Sequence, residues 1–189
     1  EFRRVLFRSQ AGARTEAEQA IIEAATVGDG VGEVAARSVL CWLYLVTGDP
    51  AAARTLAVEV ERLAGRADAA PAHVYQPWLS AALVHIENDD FAAAERAVER
   101  GRAIAERVGA AWAVAGYDGM GAFAAMRAGR LDDAAAISRP VAAIDAGVDG
   151  FGVQVWCHSF LAQIAFLQGD PADADVHIAA ASALVATGR

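Results

Sequence analysis

One punctuation pattern recurs four times along this chain at nearly constant spacing, and few folds are compatible with it. The pattern runs small or turn residue, any residue, Pro or large apolar residue, two further residues, Ala. It occupies Gly48-Asp49-Pro50-Ala51-Ala52-Ala53, Asp89-Asp90-Phe91-Ala92-Ala93-Ala94, Gly129-Arg130-Leu131-Asp132-Asp133-Ala134 and Gly169-Asp170-Pro171-Ala172-Asp173-Ala174, at intervals of 41, 40 and 40 residues. Recurrence at one period marks tandem repetition of a supersecondary unit. Each copy has the chemistry of a tight helix-turn-helix connection. A glycine such as Gly48 closes the first helix in the left-handed conformation, and Asn88-Asp89 can substitute because Asn and Asp enter that region more readily than other residues. Pro50 and Pro171 suit the first turn of the next helix, where a missing N–H is no loss. The alanine three residues later lets the two helices approach closely.

Helical periodicity flanks the turns. Phe91, Ala94, Val98, Gly101, Ala105 and Val108 fall three or four apart as one apolar stripe. Glu95, Arg96, Glu99, Arg100, Arg102 and Glu106 take the other face. Trp156, Phe160, Ile164 and Leu167 repeat in the same way before the fourth turn. The pattern predicts helices near 10–27, 33–47, 50–65, 72–87, 91–108, 110–128, 131–146, 153–168 and 171–186. No segment shows sustained strand alternation, so an all-α chain of antiparallel helix-pair repeats with a period of about forty is expected, stacked into a solenoid because each pair buries little alone. Pro140 should kink the seventh helix, at a cost of roughly 3 kcal/mol. Gly116, Gly119 and Gly121 crowd the sixth, and close approach of a neighbouring helix is the expected reason. Phe91→Ala should destabilise by about 3–5 kcal/mol if the ring staples its turn into the core.

Composition narrows the function classes. The 189 residues include 48 Ala, 16 Arg and no Lys, with 24 acidic residues and a formal net charge of −8. An apolar fraction of 56% excludes a disordered chain. The longest near-apolar run, Val39 to Val46, falls short of the roughly 20 residues of a membrane span, so no membrane partner is expected. Scattered arginines on an acidic chain argue against direct nucleic-acid contact, which needs a clustered basic face. Residues 1–9, EFRRVLFRS, carry three arginines and match nothing in the Ala-rich remainder. They back-translate to the end of a common short-read sequencing adapter, so they are expected to be a translated artefact. The helical-repeat domain would then be residues 10–189, truncated at one or both ends, with 13 arginines against 23 acidic residues.

The repeated Gly-x-large-x-x-Ala turn resembles that of tetratricopeptide-like repeats, although the period exceeds the standard unit. The Gly-Asp-Pro-x-x-Ala and Gly-Arg-Leu-Asp-x-Ala forms, in longer Ala-rich repeats, resemble the helical region of bacterial LuxR-type transcriptional regulators related to the maltose-regulon activator. The stretch Ala146-Gly147-Val148-Asp149-Gly150-Phe151-Gly152-Val153-Gln154-Val155-Trp156, followed by a helix and Gly169, is similar to a late repeat of that family. The resemblance implies a right-handed solenoid that senses an effector or partner in the cytoplasm, between an ATP-binding module and a DNA-binding helix-turn-helix. With no Lys in the chain, the phosphate loop of that ATP-binding module is not in this segment. The alternative is a free-standing adaptor of tetratricopeptide type.

Catalytic, metal and cofactor sites are not expected. Cys41 and Cys157 are distant in sequence and read as buried thiols of a reduced compartment. Cys157 and His158 are adjacent and point in different directions on a helix. His73, His85 and His177 lie in different helices without paired ligand spacing. Asp89-Asp90 and Asp132-Asp133 sit at repeat turns, where acidic residues favour a helix N-terminus. Gly28-Asp29-Gly30-Val31-Gly32 lacks the context of a nucleotide site and reads as a flexible linker. Trp42, Trp78, Trp112 and Trp156 fall at different distances from the following turn, so they form no single ladder and most belong to the core. The concave surface, on which a protein or small-molecule effector would dock, is expected to draw on Tyr75, Trp78, Trp112, Tyr117, Trp156 and His158.

Overall fold

The computed structural model describes residues 2–65, 76–144 and 152–186, with side chains from residue 12 onward. Among the described residues the chain is all-α, with helices α1 (Phe2–Val27), α2 (Gly30–Thr47), α3 (Pro50–Ala64), α4 (Pro77–Glu87), α5 (Phe91–Arg107), α6 (Ala111–Arg127), α7 (Leu131–Ala142), α8 (Val153–Leu167) and α9 (Pro171–Ala186). Most bounds fall within a few residues of the predicted segments, but α1 begins at Phe2, eight residues before the predicted start and within the nine set apart from the repeat domain, and α4 begins at Pro77 instead of 72. The fold is one of successive helices packed pairwise within each unit.

All four repeat turns close in the left-handed conformation, with φ of +82° at Gly48, +58° at Asp89, +76° at Gly129 and +82° at Gly169. Asp89 thus does the work of a glycine. In each turn the next amide reaches back into the helix: Asp49 to Tyr44 at 2.8 Å, Asp90 to His85, Arg130 to Ala125 and Asp170 to Ala165 at 2.9 Å. Asp49 Oδ1 accepts from the Ala52 amide and Asp170 Oδ1 from the Asp173 amide, both at 3.0 Å, which caps α3 and α9. The alanines behind the turns, Ala53, Ala94, Ala134 and Ala174, are buried.

The same device occurs at two further places. Gly28 (φ +73°) and Gly109 (φ +72°) close α1 and α5, so left-handed turns stand near residues 28, 48, 89, 109, 129 and 169. The Gly28-Asp29-Gly30 segment is therefore not a flexible linker: Asp29 Oδ1 accepts from the Val31 and Gly32 amides at 3.1 and 2.9 Å and caps α2. Pro140 lies inside the seventh helix, as expected. It sits in the last turn of α7, which ends at Ala142, four residues before the predicted end. A proline inside a helix removes one i→i−4 bond and crowds the carbonyl four residues back, so it weakens the turn that precedes it. Residues 145 and 146 of the predicted helix, residues 72–75 of another, and Ala146 to Phe151 of the late repeat lie outside the described residues.

The chain divides into two units, Glu1–Asp90 and Phe91–Arg189. In the first, α2 packs on α1 and α3, and α4 lies against both α2 and α3. Its core joins Cys41, Ala53, Ala57, Val60, Ala81 and Val84, edged by Tyr44, Leu45 and Leu56. In the second, α5 packs on α6 and α6 on α7, α8 lies against both α6 and α7, and α9 packs on α8. One core cluster joins Ala125, Ala134, Ala135, Leu161 and Ile164, and another Ala115, Val141, Val153 and Cys157.

By length and composition α2 could cross a membrane, yet 28% of it is buried within the protein. It also carries the Arg37–Glu33 ion pair at 2.6 Å. Each of those charges would be costly at a bilayer centre, by roughly 3 kcal/mol on insertion scales. It packs against α1, α3 and α4 and leaves Val39, Trp42 and Val46 exposed.

Candidate interaction surfaces

The aromatic residues expected on a partner-facing surface divide by burial. Trp78 is 5% exposed and Tyr117 2%, so both belong to the core and no partner can reach them on a folded chain. For Tyr117 the cause is visible. Its ring occupies the space where a Cβ on Gly101 would stand, so α5 and α6 meet as aromatic over glycine. Trp112, Trp156 and His158 are half-buried. Trp156 packs beside Ala115, Val141, Val153 and Cys157 and leaves part of its ring to solvent. Tyr75 and His73 lie outside the described residues.

His158 and His177, nineteen residues apart on α8 and α9, come together with Nδ1 atoms 3.1 Å apart and ring centroids 5.3 Å apart. One ring must donate and the other accept, so the pair holds at most one Nδ1 proton comfortably. Burial, and then the neighbouring His177, push the His158 pKa below its ordinary 6.5. The second nitrogen of His177 lies 3.9 Å from Asp173. Sequence spacing alone hid this pair, because it forms across a helix interface. No group of three metal-ligating side chains occurs among the described residues.

Cys41 and Cys157 are both buried. Burial pushes the Cys41 thiol up to about 12, with Arg37 opposing weakly, so it is protonated and unreactive at neutral pH. His85 Nε2 meets Glu61 Oε1 at 3.2 Å and ties α4 to α3. Asp132 and Asp133 stand in the first turn of α7. There Asp132 accepts from Gln168 at 3.2 Å and Asp133 lies 3.7 Å from Arg130.

The exposed apolar surface lies elsewhere. On α2, Val39, Trp42 and Val46 follow a three-and-four spacing and are 52%, 42% and 58% exposed. The signal was available: α2 is apolar on nearly every side, so its core can claim only part of it. In the second unit, a groove of about 680 Å³ runs between α8 and α9, edged by Phe166, Leu167 and Ile178. A shallower groove of about 350 Å³ between α5, α6 and α7 is apolar at Val98 and Ile137 and charged at Glu95, Arg130 and Asp133. Arg130 pairs with Glu95 across it. Apolar stripes and grooves with few fixed charges suit side-chain packing against a partner rather than bond-making chemistry.

A family model described as tetratricopeptide repeat matches residues 34–59 and 155–180. Those two stretches contain the α2–α3 and α8–α9 turns, one from each unit. No curated protein matches the chain. Together with the helix pairing, the matches make this a tetratricopeptide-like helical-repeat region, a type that generally mediates protein interaction.

Proposed function

We propose that this chain is the effector- or partner-sensing helical-repeat segment of a LuxR-type transcriptional regulator related to the maltose-regulon activator, acting in the cytoplasm and without enzymatic activity. The observation that carries the reading is the punctuation itself. Gly-Asp-Pro-x-x-Ala at Gly48 and Gly169, and Gly-Arg-Leu-Asp-x-Ala at Gly129, share one period of about forty residues. The matched repeats support the interaction role. The half-buried Trp112, Trp156 and His158 and the exposed stripe of Trp42 are the side chains offered for contact. The segment would bind a protein or small-molecule effector, take no cofactor, and leave DNA contact to another part of the regulator.

Recovery of the complete gene from source DNA tests this reading. The expected result is an upstream phosphate-loop module, a downstream basic helix-turn-helix, and codons at positions 1–9 that differ from the adapter sequence. A complete reading frame with no helix-turn-helix overturns it and leaves a free-standing adaptor. Recovery of the same nine codons overturns the artefact assignment.

A further inference from the structure

We propose that the groove between α8 and α9 is the seat for the first helix of a further repeat, supplied by polypeptide outside these 189 residues. The argument rests on two occupied seats of the same kind within the chain. In the first unit, α4 lies against both members of the pair α2–α3 and brings Ala81 and Val84 onto Cys41, Ala53, Ala57 and Val60. In the second, α8 lies against both members of the pair α6–α7. There it brings Leu161 and Ile164 onto the cluster of Ala134 and Val153 and Cys157 onto the cluster of Val141.

The pair α8–α9 presents the same positions, and among the described residues no third helix lies against both of its members. The two tetratricopeptide matches set α2–α3 and α8–α9 in register, 34 with 155 and 59 with 180. In that register Cys41, Ala53, Ala57 and Val60 become Ala162, Ala174, Ile178 and Ala181, and all four of the latter line the groove. The forty-residue interval likewise carries Ala134 and Val141 onto Ala174 and Ala181. Ala162 and Ala174 are already buried within the pair, at 7% and 4% exposure, and the difference lies at Ile178, 54% exposed where its counterpart Ala57 beneath α4 is 0% exposed. At the rim, Phe166 is 71% exposed. An aliphatic side chain at a repeat-core position, left in water, is what an empty seat looks like.

The register also specifies the occupant. Ala81 and Val84 stand eight and five residues before the turn at Asp89, and Leu161 and Ile164 stand eight and five before Gly169. The incoming helix is therefore apolar at those two places, with small or aliphatic residues three apart. A second copy of this chain has no such helix to give. Its own Ala81, Val84, Leu161 and Ile164 are already buried at 0%, 0%, 4% and 2% exposure.

The probe is a fluorescein-labelled peptide of residues 152–168, the α8 sequence, with Cys157→Ser to prevent oxidation. It is titrated against the full 189-residue protein and followed by anisotropy. The groove variants are Ile178→Arg and Ala181→Glu, and the control is Val58→Arg on an exposed position of α3. Far-UV circular dichroism verifies that each variant is folded. The expected result is saturable binding of one peptide per chain, weakened about tenfold or more by either groove variant and unchanged by Val58→Arg. Equal binding by all variants, or no saturable binding, overturns the proposal. Sedimentation equilibrium supplies the other arm: a dimer of the free chain that Ile178→Arg dissolves assigns the groove to a second copy and overturns it too.

Discussion

At Gly119 the missing side chain has a neighbour in its place: a Cβ built there would lie 2.5 Å from Val153 Cγ2. A helix-interior glycine sacrifices about 1 kcal/mol of propensity relative to Ala, and here the return is direct contact of α6 with α8. Gly119→Val should therefore destabilise by about 1–3 kcal/mol through overpacking, read as a fall in the urea midpoint at constant slope. The crowding of glycines on this helix was legible in the sequence, but which one touches a neighbour was not. A Cβ built on Gly121 would stand 3.5 Å from Val98, an ordinary contact, whereas Gly119 is closed to a methyl group by α8. Trp78 and Tyr117 were misjudged for a related reason. Both α4 and α6 are apolar nearly all round, so periodicity supplies no phase from which to separate a core face from a surface face.

His158 provides a second measurement at this scale. Its folded pKa lies below the ordinary 6.5, so between the two values the unfolded chain binds more protons than the folded one. The stabilisation is fully present above that ordinary value and is lost as pH falls below it. Unfolding free energy should decline as pH falls below about 6.5, and His158→Gln should flatten that decline. An equal slope in the variant would remove His158 as its source.

Elements show where the repeat pattern carries energy. Phe91 is half-buried rather than fully enclosed, so the expected loss for Phe91→Ala falls to about 1–2 kcal/mol from the larger figure that complete burial would give. The alanines behind the turns are the stricter positions. Ala134 is 0% exposed between α7 and α8, and Ala134→Leu should cost about 1–3 kcal/mol in urea unfolding, with far-UV dichroism unchanged. The four turns were visible because Gly48, Gly129 and Gly169, with Asp89, are followed at fixed distance by Pro or a large residue and then Ala. The turns at Gly28 and Gly109 share the left-handed backbone but not those followers. A connection between repeats packs against different neighbours from one within a repeat, so the same backbone solution comes with different side chains. Helix ends were read within a few residues except at α1, which starts at Phe2 instead of 10, at α4, which starts at Pro77 instead of 72, and at α7, which ends at Ala142.

At the scale of the molecule, a net charge of −8 disfavours a polyanionic partner. At about 0.15 M salt the protein should leave the mobility of duplex DNA unchanged, because counterion release needs clustered cations. A shift that weakens linearly with the logarithm of salt would show otherwise. Fold class was legible from the repeat alone, since one period and one turn chemistry dictate helix pairs. The contact surfaces were not. They depend on which apolar positions remain uncovered after packing, as at Trp42 and Ile178, and that is a property of the assembled helices.

The alternation of helices within each pair has a consequence for the gene. A seat that receives only first helices makes the chain count in pairs. Adding about twenty residues would bring a second helix, with the wrong stripe, to the groove, whereas about forty would regenerate the same groove one repeat further on. Length differences between related genes in this region should therefore fall near multiples of about 120 nucleotides, a spacing that can be read from genomic DNA without expressing the protein.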